Sequence, residues 1–278
     1  MPDFLSIFSK WWKTIVGMVL IVTAITAVIL LLQTKQYLST VTALPAASVN
    51  YDKSTIFNDH IQSLYSSIGG ADELDKVLGT AELDTFYISA IRQFDLIKHY
   101  KEVDTKTGLY RTIKELRDNV EIFKTEYGEL KIKAWDKDPE LAANMANFFY
   151  DNLQTLHQYL QNQSNQSSLQ KLEENYLVLQ QQFTNLQDSL QNGANQSRPL
   201  VNIRLTTKTQ ELAEYEKLIS QYTLMIKAKP QVLLLVERAR PGLRPERPKL
   251  LPVFIMAAFA SLIFGLLLAI FLESRKKS

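Results

Sequence analysis

Cysteine is absent from the 278 residues, which excludes disulfides, thiolate nucleophiles and cysteine-ligated metals and leaves the redox compartment unmarked. Glycine is scarce. None of the nine glycines precedes a lysine, so no Walker-type phosphate loop exists, and no dinucleotide fingerprint follows any expected strand. Histidine is scarcer still: His60, His99 and His157 lie apart, in helical patterns without a histidine four residues away, and read as surface residues rather than zinc ligands. No G-x-S-x-G elbow occurs. An excess of charge is also missing, since 31 Lys and Arg stand against 29 Asp and Glu, and a balance of +2 gives no footprint for nucleic acid. The expectation is a non-enzyme with no catalytic residue, no cofactor and no metal.

What the chain does have is unevenness. The hydrophobic fraction of 46% is ordinary, but two dense apolar runs lie near the ends, with a Gln- and Asn-rich stretch between them. Residues 14–32, TIVGMVLIVTAITAVILLL, carry no charge and suffice to cross the hydrocarbon core. The run is longer than the apolar region of a signal peptide, so an anchor is expected. Residues 250–272 form a second uncharged run, with Pro252 near its start where a helix tolerates it. Lys10 and Lys13 before the first run, and Arg275, Lys276 and Lys277 after the second, place both termini in the cytoplasm by the positive-inside rule, outweighing Arg244, Arg247 and Lys249 beside a long translocated domain. Trp11 and Trp12 suit an interfacial belt. The tails of residues 1–13 and 273–278 leave no room for a cytoplasmic output module, which argues against a sensor. In the second run Ala257, Ser261 and Gly265 recur every four residues, a small-residue face suited to close helix packing in lipid, self-association included.

The middle of the chain reads as α+β. Tyr37 to Leu44 alternates and is rich in β-branched residues, predicting a strand ended by Pro45. Val120 to Phe123 and Leu130 to Trp135 flank Tyr127 and Gly128 and predict a hairpin. Gln231 to Val236, apolar throughout from Val232, predicts a central strand buried on both faces and completes a four-stranded sheet. Helical spacing predicts one helix over Thr85 to Tyr100 and another over Leu109 to Leu116. Asp138 as N-cap, with Pro139 and Glu140 after it, starts a long helix, and capping accounts for Asp136 and Asp138 better than a carboxylate site does.

Leu169, Leu172, Tyr176, Leu179, Phe183, Leu186 and Leu190 form a heptad seam. After a break at Asn192, Gly193 and Pro199, Leu205, Leu212, Tyr215, Ile219, Tyr222 and Ile226 resume it, with Lys208 interrupting, so an antiparallel hairpin over residues 139–229 is expected. The stretch QNQSNQSS is where the first helix would break. Asn162, Asn165 and Asn195 match N-x-S sequons by chance in so polar a stretch, and glycosylation is not invoked.

The element D-x-D-P-x-x-A-A-x-x-A-N, carried by Asp136, Asp138, Pro139, Ala142, Ala143, Ala146 and Asn147, is followed by the approach ERARPGLRPERPK with Pro241, Pro245 and Pro248. In this order, and between two spans, these elements resemble the Wzz-type chain-length determinants, or polysaccharide co-polymerases. Pro241 and Pro245 are four apart where the family usually spaces them by three, and Gly265 stands alone in the second span where members often show two glycines. The resemblance implies a periplasmic α/β base, residues 33–138 and 230–249, bearing the long hairpin between two transmembrane helices, with protomers ringed as a homo-oligomer in the bacterial inner membrane. It further implies no bond-making activity. The role implied is regulation of how long a lipid-linked, O-antigen-like polysaccharide grows, alongside a membrane polymerase or exporter. Arg238, Arg240, Arg244 and Arg247, interleaved with the prolines just outside the bilayer, are candidates for contact with lipid phosphates or the lipid-linked glycan, beside the reading of a basic linker. Two other roles stay open: a membrane adaptor for a separate tyrosine kinase in capsule or exopolysaccharide export, and a structural envelope-tethering protein.

Overall fold

A computed structural model describes residues 4–46, 71–192 and 198–277. His60, Gly193 and Asn195 lie outside them. The chain divides into two compact units, one of Met1–Ser39, Lys133–Met145 and Ala239–Ser278, the other of Thr40–Ile132 and Ala146–Arg238.

The first unit holds α1, Phe4–Leu32, and α8, Leu250–Lys277. Both contain a stretch long and apolar enough to cross a membrane, Trp11–Leu32 and Leu250–Phe271. On the sides not packed against each other they expose Leu20, Ile21, Ile25 and Leu31 from one helix and Ile255, Phe259, Leu267 and Phe271 from the other. A soluble protein does not leave so continuous an apolar surface in water, whereas lipid accepts it.

Strand β1, Gln36–Pro45, follows α1 after three residues and matches the alternating stretch, with Pro45 its last residue rather than its terminator. It is the spine of a sheet ordered β2-β3-β1-β4, in which β2 is Val120–Lys124, β3 Leu130–Asp136 and β4 Leu233–Glu237. The β2–β3 hairpin forms as expected, and Gly128 takes the positive φ of 76° that its turn requires. Two features depart from expectation. Among the described residues strand β4 is an edge strand, pairing with Thr42 to Pro45 of β1 alone, and its Leu235 and Val236 are 39% and 57% exposed. An apolar run of this length fits an edge as well as a centre, because composition does not count neighbours. A fifth strand, β5, Pro245–Arg247, pairs with Gln36 and Tyr37 at the other end of β1, where only an extended approach was expected.

In the second unit, α2 spans Ala71–Ala81, an element that no sequence signal had marked. The helix expected over residues 85–100 is two helices, α3, Asp84–Gln93, and α4, Leu96–His99. Asp95 between them sits at φ 49°, ψ 46°, a left-handed conformation that Asp tolerates better than most residues, and the kink delivers Leu96 to full burial. Helix α5, Lys106–Asn119, is capped by Thr105, whose hydroxyl accepts from the Gly108 N–H. The core gathers Val41, Leu74, Val77, Ile91, Leu96, Leu116, Leu130, Ile132, Phe149 and Leu153, all essentially inaccessible. Phe149 stands with its ring centroid 5.4 Å from that of Tyr87, and Phe148 meets Phe94 edge-on at 5.3 Å.

Helix α6, Pro139–Asn192, runs unbroken for 54 residues, about 80 Å at the standard rise. At its start Asp138 Oδ1 accepts from the Glu140 N–H at 3.0 Å, and Asp136 Oδ1 accepts from the Asp138 N–H at 2.8 Å, so both aspartates act on the backbone. The polar stretch does not break the helix. Local side-chain bonds such as Gln163 to Tyr159 and Gln170 to Glu174, together with packing against the returning helix, offset its weak intrinsic propensity. That returning helix, α7, Arg198–Ala228, is antiparallel: Tyr176 donates to Glu216 at 2.6 Å, while nearer the root Gln158 donates to the Lys229 carbonyl. Over residues 169–189 of α6 the positions not exposed are Leu169, Leu172, Tyr176, Leu179, Phe183 and Leu186, which have heptad spacing, and on α7 Lys208 is half-buried with its ammonium 2.7 Å from Glu211.

Candidate functional site

The small-residue face expected on α8 is turned onto α1 of the same chain. Ser261, Gly265 and Ala269 are buried against a stripe of α1 that includes Trp11 and Ile15, and Ala257 is partly buried on the same face. A Cβ built on Gly265 would stand 3.3 Å from Ile15 Cγ2, so glycine sets how closely the helices approach. The Ser261 hydroxyl is satisfied within its own helix by the Ala258 carbonyl at 2.9 Å. Whatever self-association these helices support, this face is already occupied within the chain.

The proline-arginine approach is fastened to β1 rather than free. The Ser39 hydroxyl donates to the Arg240 carbonyl at 2.9 Å, and a Cβ on Gly242 would lie 2.7 Å from the Leu38 carbonyl oxygen, a contact only glycine permits. Pro245 then pairs with Tyr37, and Arg247 with Gln36. The guanidinium of Arg247 lies 4.0 Å from the centre of the Trp135 ring, a cation–π contact that ties β5 to the end of β3. Pro248 is partly buried, while Arg240, Pro241 and Arg244 are exposed, and Leu243 between them is 98% exposed. Arg238 belongs to the second unit, where it pairs with Asp151 at 3.0 Å. The arginines singled out from the sequence therefore differ in environment: one ion-paired, one stacked on an indole, two open to solvent. Among the described residues no group of His, Asp and Glu side chains gathers as a metal centre would need.

Sequence reasoning missed a second cluster, on α6 from Tyr150 to Gln158. Tyr150 donates to the Leu233 carbonyl at 3.2 Å and Gln154 accepts from the Leu233 N–H at 2.7 Å, so two side chains satisfy the outer edge of β4 at that residue. Gln158 holds the end of α7 through the Lys229 carbonyl. His157, expected at the surface, is half-buried, and its Nε2 lies 2.6 Å from Thr80 Oγ1 on α2. The Thr80 proton already goes to the Val77 carbonyl, so His157 is the donor in that pair. His99 likewise sits partly buried beside the Tyr100 ring. Glutamine abounds along this helix, and nothing in the pattern distinguished these from solvated ones.

Burial holds the His157 imidazole below its usual range. The unfolded chain therefore takes up the proton first, and the stability tied to this site is complete above the unfolded value of about 6.5 and declines as pH falls toward the lower folded value. Denaturant midpoints of the detergent-solubilised protein should fall between pH 7.5 and 5.5, and His157→Gln should flatten that dependence. An unchanged slope in the variant would assign the acid sensitivity elsewhere.

No family model matches the chain, and no curated protein matches it. Among solved structures the chain is similar to one described as a full-length bacterial polysaccharide co-polymerase, at 12% identity and a TM-score of 0.40 over 100% of this chain and 98% of that one. It is also similar to a fragment of WzzB, a polysaccharide co-polymerase from Salmonella Typhimurium, at 12% identity, a TM-score of 0.32, and coverage of 77% of this chain and 100% of that one. The wild-type Shigella flexneri lipopolysaccharide O-antigen chain-length regulator WzzBSF matches at 12% identity, a TM-score of 0.29, and coverage of 76% and 100%. Two of these solved structures are described as polysaccharide co-polymerases and the third as an O-antigen chain-length regulator.

Proposed function

We propose that this chain is a non-enzymatic regulator of the length of a lipid-linked, O-antigen-like surface polysaccharide, acting as a homo-oligomer beside a membrane polymerase. In this reading it spans the bacterial inner membrane twice, with both termini cytoplasmic and the bulk of the chain periplasmic. The observation that carries the reading is the order of its parts. An apolar helix leads into β1. A D-x-D-P cap launches a 54-residue helix, a 31-residue helix returns, and the chain pairs again with β1 through β4 and β5 before a second apolar helix packs on the first. The same strand thus receives the chain as it leaves one membrane helix and as it approaches the other. Such a scaffold suits holding or organising a growing glycan.

Deleting the gene and resolving the surface polysaccharide on a gel tests the reading directly. The modal chain length should vanish, leaving a broad distribution, and return on complementation. An unchanged distribution would sink the proposal.

A further inference from the structure

The second unit carries an open groove of about 410 Å³ between α3 and α6, lined by Thr85, Phe86, Ser89, Asn152, Thr155, Leu156 and Tyr159. Among the described residues no charged side chain lines it. Its polar groups are arranged with a bias that narrows what it can hold. The Ser89 hydroxyl spends its proton on the Phe86 carbonyl at 2.7 Å, and the Thr155 hydroxyl spends its own on the Asp151 carbonyl at 2.7 Å. Asn152 commits its amide nitrogen to the Phe148 carbonyl at 2.9 Å, leaving Oδ1 as an acceptor. The Tyr159 oxygen accepts from Gln163, which leaves the phenolic proton to donate outward. The Ser89 and Thr155 hydroxyl oxygens and the Asn152 amide oxygen therefore offer lone pairs, the Tyr159 phenol and the second amide hydrogen donate, and the Thr85 hydroxyl can do either.

An anion is a poor match for such a wall, because it brings only acceptors and finds no cation. A hydrocarbon would leave the oxygens unsatisfied. A hydroxyl-rich, uncharged molecule with one apolar face meets both demands: its O–H groups donate to the oxygens, and its C–H face rests on the Tyr159 ring, which is 57% exposed, and on Leu156. A pyranose ring has this composition. We propose that the groove binds a neutral pyranose segment of a glycan, a contact separate from the arginines before α8. The inference deepens the proposed function, resting on it for the glycan's presence but not for the chemistry of the groove.

The full-length protein in nanodiscs, titrated with maltoheptaose and in parallel with an oligogalacturonate of equal length, reads the groove by saturation-transfer NMR. Maltoheptaose should bind in the millimolar range and the acidic oligomer at least severalfold more weakly. Tyr159→Ala should weaken maltoheptaose about tenfold, the upper range of what an aromatic contact supplies. Asn152→Leu should weaken it comparably, and Tyr127→Ala, which removes an exposed ring from the β2–β3 turn, should change nothing. Failure of maltoheptaose to bind, equal binding of the acidic oligomer, or indifference to Tyr159→Ala and Asn152→Leu would each overturn the proposal. The gene-deletion phenotype stays independent: a lost modal length without saccharide binding removes the groove and keeps the regulator, whereas binding without a deletion phenotype does the reverse.

Discussion

Phe149→Ala should lower the stability of the second unit by about 3 to 5 kcal/mol, the range for emptying a buried aromatic site. Phe149 is fully inaccessible and packs at a tilt against Tyr87, whose own ring lies under the Arg117 guanidinium at 4.6 Å. Arg117 in turn reaches Asp84 and the Glu82 carbonyl, both at 2.7 Å. Removing the ring therefore opens a cavity where α3, α5 and α6 meet, and a chain of contacts behind Tyr87 loses its backing. Thermal unfolding followed by circular dichroism in detergent should show a large drop in midpoint. Phe149→Leu, which keeps most of the volume, should recover over half of it. A drop in the alanine variant no larger than that of the leucine variant would mean that the cavity collapses and the site is not a keystone.

Gly108→Ala should be nearly as damaging, although alanine ordinarily favours a helix. A Cβ at this position would fall 1.9 Å from the Val103 carbonyl oxygen, a backbone atom that no rotamer change can move aside. The segment that must shift holds the Thr105 cap of α5, so the substitution combines a lost cap with overpacking, about 2 to 4 kcal/mol in all. Gly79 is the control. It lies within α2 with nothing inside 4 Å of an added Cβ, and Gly79→Ala should stabilise by about 0.5 to 1 kcal/mol. Equal effects of the two substitutions would show that the Gly108 contact relaxes without penalty.

Much of this fold was legible in the sequence where a local pattern has a single physical reading. The uncharged runs, the alternation in β1, the Tyr127–Gly128 turn and the D-x-D-P cap each correspond to one conformation, and each is present. Shielding in the outer part of α6 follows the spacing of Leu169 to Leu186. The failures share a cause: they depend on partners distant in sequence. Nothing local says that Gln231 to Val236 lies at an edge, that Asp95 interrupts a helical pattern to bury Leu96, or that Pro245 to Arg247 pairs with Gln36 and Tyr37.

The candidate site divides the same way. The prolines, arginines and small residues were visible as composition, but their environments were not: Arg238 on Asp151, Arg247 on Trp135, Gly265 on Ile15. Gln154, Gln158 and His157 had no signal at all, since a glutamine that satisfies a strand edge looks like one that faces water.

The side chains between Tyr150 and Gln158 also define a fulcrum. From Gln158 to the end of α6 is about 50 Å of helix, and the root of that span is held by the burial of Phe149 and Leu153, by hydrogen bonds to β4, α2 and the end of α7, and by the ion pair of Asp151 with Arg238. A rotation of about 5° there would carry the far end about 4 Å, at the length set by the helical rise. Small repacking around Gln154 and His157 is thus geared up along the rod, and the far end of the hairpin is where a change at its root is felt as distance.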